Sequence, residues 1–173
     1  SDLTTLLAAS LDDLAAHLPR GLNLVSLGVG SGEKERMLLG VLMKSGRPAY
    51  YGVDISSELV DTALERVADM DVEKTGVVGF LQDLPTLRRI WRRPVLLCLL
   101  GNTFCNYEPE YVFENVREQL EDDDLFLFDC HLYLDQLESI ERVYRSPLNI
   151  DFNLSPLRQR GLENDACSFH LKL

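Results

Sequence analysis

The sequence predicts an α/β fold with a doubly wound, mostly parallel sheet. Three observations lead there. An apolar run from Leu22 ends in three glycines at alternate positions, Gly28, Gly30 and Gly32, and a helical pattern starts at once at Glu33. Strand, glycine turn and helix in that order open a Rossmann-like α/β unit. A second strand-like run, Ala49–Val53, ends in Asp54, about 20 residues past the loop, where such folds place a carboxylate. Further apolar runs at Val77–Leu81, Val95–Leu100 and Leu125–Phe128 alternate with helical patterns.

Length and composition fit one domain spanning residues 1–173, with 46% hydrophobic and 26% charged residues. The net charge of −11 gives no global electrostatic reason to bind nucleic acid or an anionic membrane. No apolar run approaches the roughly 20 residues of a membrane span, and no signal peptide is visible. The four cysteines, Cys98, Cys105, Cys130 and Cys167, are widely spaced, and three lie in or beside strand-like runs. Buried free thiols in a reducing, cytoplasmic setting are expected. With three histidines and no Cys-x-x-Cys pair, no metal site is expected.

The elements follow in order. Leu3–Leu18 carries apolar residues at helical spacing and stops at Pro19-Arg20-Gly21. His17 sits near that helix end and has no chemical role. The helix after the glycine loop runs from Glu33 to about Lys44 and turns Met37, Leu38, Val41 and Leu42 inward. Asp54 closes the second strand. Its carboxylate accepts two hydrogen bonds and suits a vicinal diol. The alternative is a helix cap, but Ser56 and Ser57 can supply that cap themselves. Glu58–Met70 reads as a helix with Leu59, Val60, Ala63, Leu64 and Val67 inward. Gly76 opens the third strand. Gln82 and Asp83 sit at its C-terminal end, where ligands bind in open α/β sheets. Asp83 is a candidate acceptor for an adenine amino group, or else a loop acid or N-cap. Arg88, Arg89, Arg92 and Arg93 surround Trp91. They read as a solvated helix face with Trp91 half buried, in preference to a nucleic-acid patch.

Val95–Leu100 is continuously apolar, as a central parallel strand should be. It exits into Gly101-Asn102-Thr103-Phe104-Cys105-Asn106. Small and amide side chains crowd that exit, and Asn106 is a candidate contact to substrate or cofactor. The alternative is a polar loop capping the helix Tyr111–Leu120. Asp129, Cys130 and His131 follow the fifth strand. Asp129 or His131 could accept a proton from an amine, although such residues are more often structural. Leu132–Tyr144 looks helical, and the pattern breaks up beyond Ser146-Pro147. Phe152, Asn153, Leu154 and Leu157 are a candidate lid, and Cys167–Leu173 alternates like a last strand.

The glycine spacing narrows the ligand. A dinucleotide fingerprint wants a glycine where Glu33 stands, and here the third glycine falls one residue earlier. A carboxylate at the helix start also opposes a pyrophosphate. A ligand without phosphate fits better. The ordered motifs resemble class I S-adenosylmethionine (SAM) methyltransferases, and within them the histidine-specific, ergothioneine-pathway type. The resemblance rests on the glycine loop running into Glu33-Lys34, Asp54-Ile55-Ser56, the Gly101–Asn106 loop, Asp129, and the pair Tyr144 and Phe152-Asn153. It covers roughly Leu22 to Leu157. Ser26 departs from it, since the class usually carries an acid there, and Cys105 stands at a family glycine.

The resemblance implies a class I methyltransferase fold, and leaves open whether its C-terminal strands are truncated. It implies SAM as cofactor and S-adenosylhomocysteine as product. Ser26, Gly28, Gly30, Gly32, Asp54, Ile55, Gln82, Asp83, Gly101 and Asn102 would form the cofactor site. Asn106, Tyr144 and Asn153 would hold an amino acid acceptor. Tyr107 or Tyr144 could face the cationic methyl donor. The expected activity is N-methylation of a small-molecule amine or amino acid, without nucleic acid or membrane as partner. Little of the family's separate substrate domain is present. A SAM-binding module or partner subunit is therefore the second reading. An NAD-linked oxidoreductase is a third, disfavoured by the glycine spacing.

Overall fold

The computed structural model describes residues 3–101, 103–130, 142, 144–151 and 154. The chain divides into two compact units, Ser1–His131 and Leu132–Leu173. The first unit runs α1 (Leu3–His17), β1 (Asn23–Leu27), α2 (Glu33–Leu42), β2 (Ala49–Asp54), α3 (Ser57–Arg66) and β3 (Glu73–Val78). It continues with α4 (Leu84–Leu87), β4 (Val95–Leu99), α5 (Pro109–Arg117) and β5 (Leu125–Phe128). The described strands form one parallel sheet in the order β3-β2-β1-β4-β5. The order reverses between β1 and β4, and open α/β sheets bind ligands at that switch point.

The three central strands are buried along their whole length. That requires both faces to be covered. One face carries Val25, Val53, Leu97 and Leu99 against Leu84, Trp91, Val112 and Val116. The other carries Leu24, Tyr50 and Leu96 against Leu7, Leu38, Leu39 and Leu42. The alternation of Leu24 and Val25 between these layers is the period-2 geometry of a strand.

Several expectations need correction. β3 spans Glu73–Val78, starting four and ending three residues before the expected Val77–Leu81, and Leu81 begins a 3-10 turn. Gly76 does not open the strand but lies inside it, paired with Gly52. A Cβ on Gly76 would come within 2.5 Å of Val60, so glycine there lets α3 approach the sheet. Trp91 is buried in the core, not half buried. Leu59 is exposed, not inward. Cys98 is a buried thiol, but Cys105 and Cys130 are exposed; Cys167 lies outside the described residues.

Arg88, Arg92 and Arg93 of the arginine cluster have a structural account. Arg92 pairs with Glu73, Arg88 with Glu121, and Arg93 with Glu121 and Asp124. Arg92 Nε and the Ala49 amide both donate to Asn23 Oδ1, at 3.2 and 2.8 Å. These contacts tie the N-terminal ends of the strands together, opposite the glycine loop. In the second unit, residues 147–151 are helical, where the pattern was expected to break up. Ser146 caps that turn, its Oγ accepting from the Asn149 amide at 3.3 Å, and Pro147 stands first in the helix.

Candidate cofactor site

The loop from β1 to α2 adopts a conformation that its glycines permit. Gly28, Gly30 and Gly32 have φ of 71°, 53° and 73°, in the left-handed region that side chains disfavour. Each glycine serves a different purpose. A Cβ on Gly28 would meet Thr103 Oγ1 at 2.9 Å, so this position lets the β4 exit loop touch the β1 exit loop. A Cβ on Gly32 would meet the Ala63 backbone at 2.7 Å, so this position lets α3 seat against the start of α2. A Cβ on Gly30 would meet nothing within 4 Å. The backbone at Gly30 therefore faces open space, which is the condition for close approach of a ligand.

Asp54 stands beside that open space and is only 7% exposed. Its Oδ1 accepts from the Ser56 amide at 3.0 Å, and its Oδ2 lies 3.5 Å from the Gly30 amide. The second contact is long, so Oδ2 keeps most of its capacity to accept. Ser56 caps α3, its Oγ accepting from the Leu59 amide at 3.3 Å, so Asp54 is not needed as the helix cap. Lys34 reaches over from the first turn of α2. Its Nζ lies 3.2 Å from where a Cβ on Gly101 would be, and Gly101 itself has φ of 91°. Asp129 Oδ1 accepts from the Gly101 amide at 2.6 Å. That bond fixes the β4 exit, which is the structural alternative for Asp129.

The remaining candidates are placed less uniformly. Asp83 is half buried, and its Oδ2 accepts from the Phe80 amide at 2.7 Å, closing the 3-10 turn. Gln82 and Ile55 are exposed. Asn106 is exposed, with its amide donating to Thr103 O at 3.1 Å. Tyr107 is half buried and stacks on Tyr111 with ring centroids 6.3 Å apart; burial and Tyr111 push its hydroxyl pKa up. Ser26 is not in the crevice. Its hydroxyl donates to Glu35 Oε1 at 2.7 Å in the interior. Tyr144 is exposed in the second unit. Asn102, His131 and Asn153 lie outside the described residues, as do Phe152, Leu157 and Cys167–Leu173.

Sequence reasoning gave no role to three residues, Lys34, Thr103 and Glu35. For Lys34 and Thr103 no sequence signal was available, because their contacts join loops far apart in the chain. Glu35 did carry a signal. It lies three and four residues before Leu38 and Leu39, so it heads the apolar stripe of α2. It is fully buried, and burial pushes its carboxyl pKa above the usual carboxylate range.

The glycine crest fits SAM. Gly30 leaves open space on its face, Asp54 Oδ2 keeps capacity to accept a hydrogen bond, and Lys34 places a cation beside Gly101. The model for histidine-specific, SAM-dependent methyltransferases matches residues 3–171. The chain belongs to that family. No curated protein matches it. Among solved structures, the methyltransferase fold resembles a SAM-dependent methyltransferase from Clostridium acetobutylicum, with TM-score 0.54 and 17% identity. That match covers 76% of this chain and 51% of the other. A protein described as an rRNA-methylase from Clostridium thermocellum gives TM-score 0.53 at 16% identity, covering 92% of this chain and 81% of the other. A mycolic acid cyclopropane synthase solved with S-adenosylhomocysteine gives 0.51 at 20%, covering 84% and 49%. The chain thus spans about half the length of two of these three structures.

No helix among the described residues is long and apolar enough to cross a membrane. A cavity of about 630 Å³ lies at the far end of the sheet, lined by Arg93, Pro94 and Leu120–Asp124. It is rimmed by ion-paired and acidic groups and is remote from the crest.

Proposed function

We propose that this chain, as a single domain, binds SAM at the glycine crest and directs its methyl group to the nitrogen of a small amine or amino acid. The carrying observation is the unobstructed, left-handed backbone at Gly30 beside the Asp54 carboxylate. Gly28, Gly30 and Gly32 would line the methionine part. Asp54, with Ile55 against it, would hold the ribose hydroxyls. Asp83 would accept from the adenine amino group through the oxygen not bonded to Phe80, with Gln82 alongside. Lys34 would hold the cofactor carboxylate, near Gly101 and Asn102. Asn106, Tyr144 and Asn153 would orient the acceptor.

SAM supplies an activated methyl on a sulfonium sulfur, open to in-line attack by a lone pair. This chain's residues then need to align and desolvate more than to exchange protons. Well-oriented reactants gain about 7–11 kcal/mol in that way. Asp129 is committed to the Gly101 amide, so in this reading it shapes the exit of β4.

Calorimetry with SAM, S-adenosylhomocysteine and NAD, followed by mass spectrometry on histidine and other amines, tests the proposal. Binding of SAM and a gain of one methyl on an amine support it. Tight NAD binding with no response to SAM would overturn it. A second reading is a SAM-binding module without an acceptor site. SAM binding without any methylated product would favour that module.

A further inference from the structure

A row of small residues crosses the sheet beneath the glycine loop. Gly76, Gly52, Ser26 and Cys98 are neighbours in register on four adjacent strands. The row leaves room for a polar group in an otherwise apolar layer. The Tyr50 hydroxyl lies 2.8 Å from where a Cβ on Gly52 would be. Glu35 is fully buried, and its Oε1 accepts from Ser26 Oγ at 2.7 Å. Glu35 Oε2 and Tyr50 Oη have no partner among the described residues. A buried carboxyl is costly even with one hydrogen bond, so its retention here calls for a role.

The position of the bond defines that role. Ser26 lies two residues before Gly28, and Glu35 lies three after Gly32. Their hydrogen bond closes the chain around all three left-handed glycines. We propose that Glu35 is a positioning residue for the cofactor loop, holding the loop closed through Ser26. This rests on the reading of the loop as the SAM cradle. Glycines in series leave a loop with many accessible conformations. A bond between the side chains that flank them confines the loop before any ligand arrives.

The groups that face Glu35 are Ser26 of β1, Lys34 of its own helix, Asp54 and Tyr50 of β2, and Cys98 of β4. Burial keeps the Tyr50 and Cys98 protons in place, so neither adds a charge. Burial likewise favours the protonated Glu35, which Ser26 and Lys34 only partly oppose. Raising the pH through the raised Glu35 value puts a poorly solvated charge under the loop, to which Ser26 still donates, and the closed arrangement loses stability through the cost of burying that charge.

The test compares the parent with Glu35→Gln, Glu35→Leu, Ser26→Ala and the Ser26→Ala/Glu35→Leu double variant. Two quantities are read: hydrogen exchange of the 28–32 amides without ligand, and S-adenosylhomocysteine affinity from pH 5 to 10. Near-UV circular dichroism checks folding at each pH. Glu35→Leu and Ser26→Ala should each speed loop exchange and weaken binding about tenfold, as expected when one partner of a buried bond is lost. The double variant should be no worse than either single, because both remove the same bond. Glu35→Gln should bind within about threefold of the parent at low pH and show a flatter pH profile. Parent-like loop exchange in Glu35→Leu or Ser26→Ala overturns the proposal, as does a Glu35→Gln pH profile identical to the parent's. If Glu35→Leu fails to fold, Ser26→Ala and Glu35→Gln decide. If the parent does not bind S-adenosylhomocysteine, the cofactor reading falls, while loop exchange still decides the clasp.

Discussion

Gly32 and Ala63 are so close that a Cβ on Gly32 would lie 2.7 Å from the Ala63 backbone, whereas a Cβ on Gly30, two residues away, would touch nothing within 4 Å. Both glycines have positive φ, so either alanine variant carries a left-handed strain of about 1–2 kcal/mol. Only Gly32→Ala adds a clash between α2 and α3, and overpacking of that kind costs a further 1–3 kcal/mol or so. Thermal unfolding should therefore drop clearly for Gly32→Ala and slightly for Gly30→Ala. Calorimetry should show the opposite order for SAM, with Gly30→Ala losing affinity far beyond its stability change. Equal affinity in Gly30→Ala and the parent would remove the glycine crest as the cradle.

Asp54 divides its carboxylate between the Ser56 amide and the space beside Gly30. Asp54→Asn keeps an acceptor for Ser56 and loses the charge. The change should leave the melting temperature nearly unmoved, because Ser56 caps α3 independently. Charge-assisted hydrogen bonds are worth about 1.5–3 kcal/mol, so S-adenosylhomocysteine should bind about ten- to a hundredfold more weakly. An unchanged dissociation constant would move the ribose elsewhere.

The fold was legible because its signals are local. Gly28, Gly30 and Gly32 stand next to their own strand and helix, and Val95–Leu99 is apolar over its full length. Asp54 was found by its distance from the loop, which the crossover geometry constrains. What was not legible depends on contacts between distant segments. Thr103 meets Gly28, Lys34 meets Gly101, and Ser26 meets Glu35 only after the sheet has assembled. Gly76 misled for the same reason. It reads as the opening of the strand, yet it lies inside β3 and serves the approach of Val60 from α3. Ser26 was assigned to the crevice on resemblance alone, and its hydroxyl is committed to the interior.

Arg36 ties α2 to the end of α3. Its guanidinium donates to Asp69 Oδ2 at 2.8 Å and to Arg66 O at 2.8 Å. The hydrogen bond from Arg36 holds the Asp69 pKa at about 2, against an ordinary 3.8. The folded value is depressed, so the stabilisation is present above the unfolded value and is lost as pH falls through the folded one. Asp69→Asn should thus lower the melting temperature modestly near neutral pH. The gap to the parent should shrink as pH falls from 3.8 towards about 2. The pair is exposed and screened by salt, so the gap should also narrow at high ionic strength. A gap that ignores both pH and salt would mean that Asp69 does not stabilise the fold through its charge.

Lys34 gives the most selective test of how the cofactor lies. Its ammonium is beside Gly101, at the switch point between β1 and β4. A cation there has a purpose if the carboxylate of the methionine part reaches it, and none if that end of the cofactor lies elsewhere. Lys34→Met keeps the length of the side chain and removes the charge. S-adenosylhomocysteine should then bind about tenfold more weakly, the order expected for one charge-assisted hydrogen bond in a partly buried site. 5′-Methylthioadenosine has the adenosine and the sulfur but no amino acid end. Its affinity should be the same in Lys34→Met and the parent. Equal losses for both ligands would mean that Lys34 shapes the loop and does not hold the carboxylate, and no loss for either would place that end of the cofactor away from Gly101.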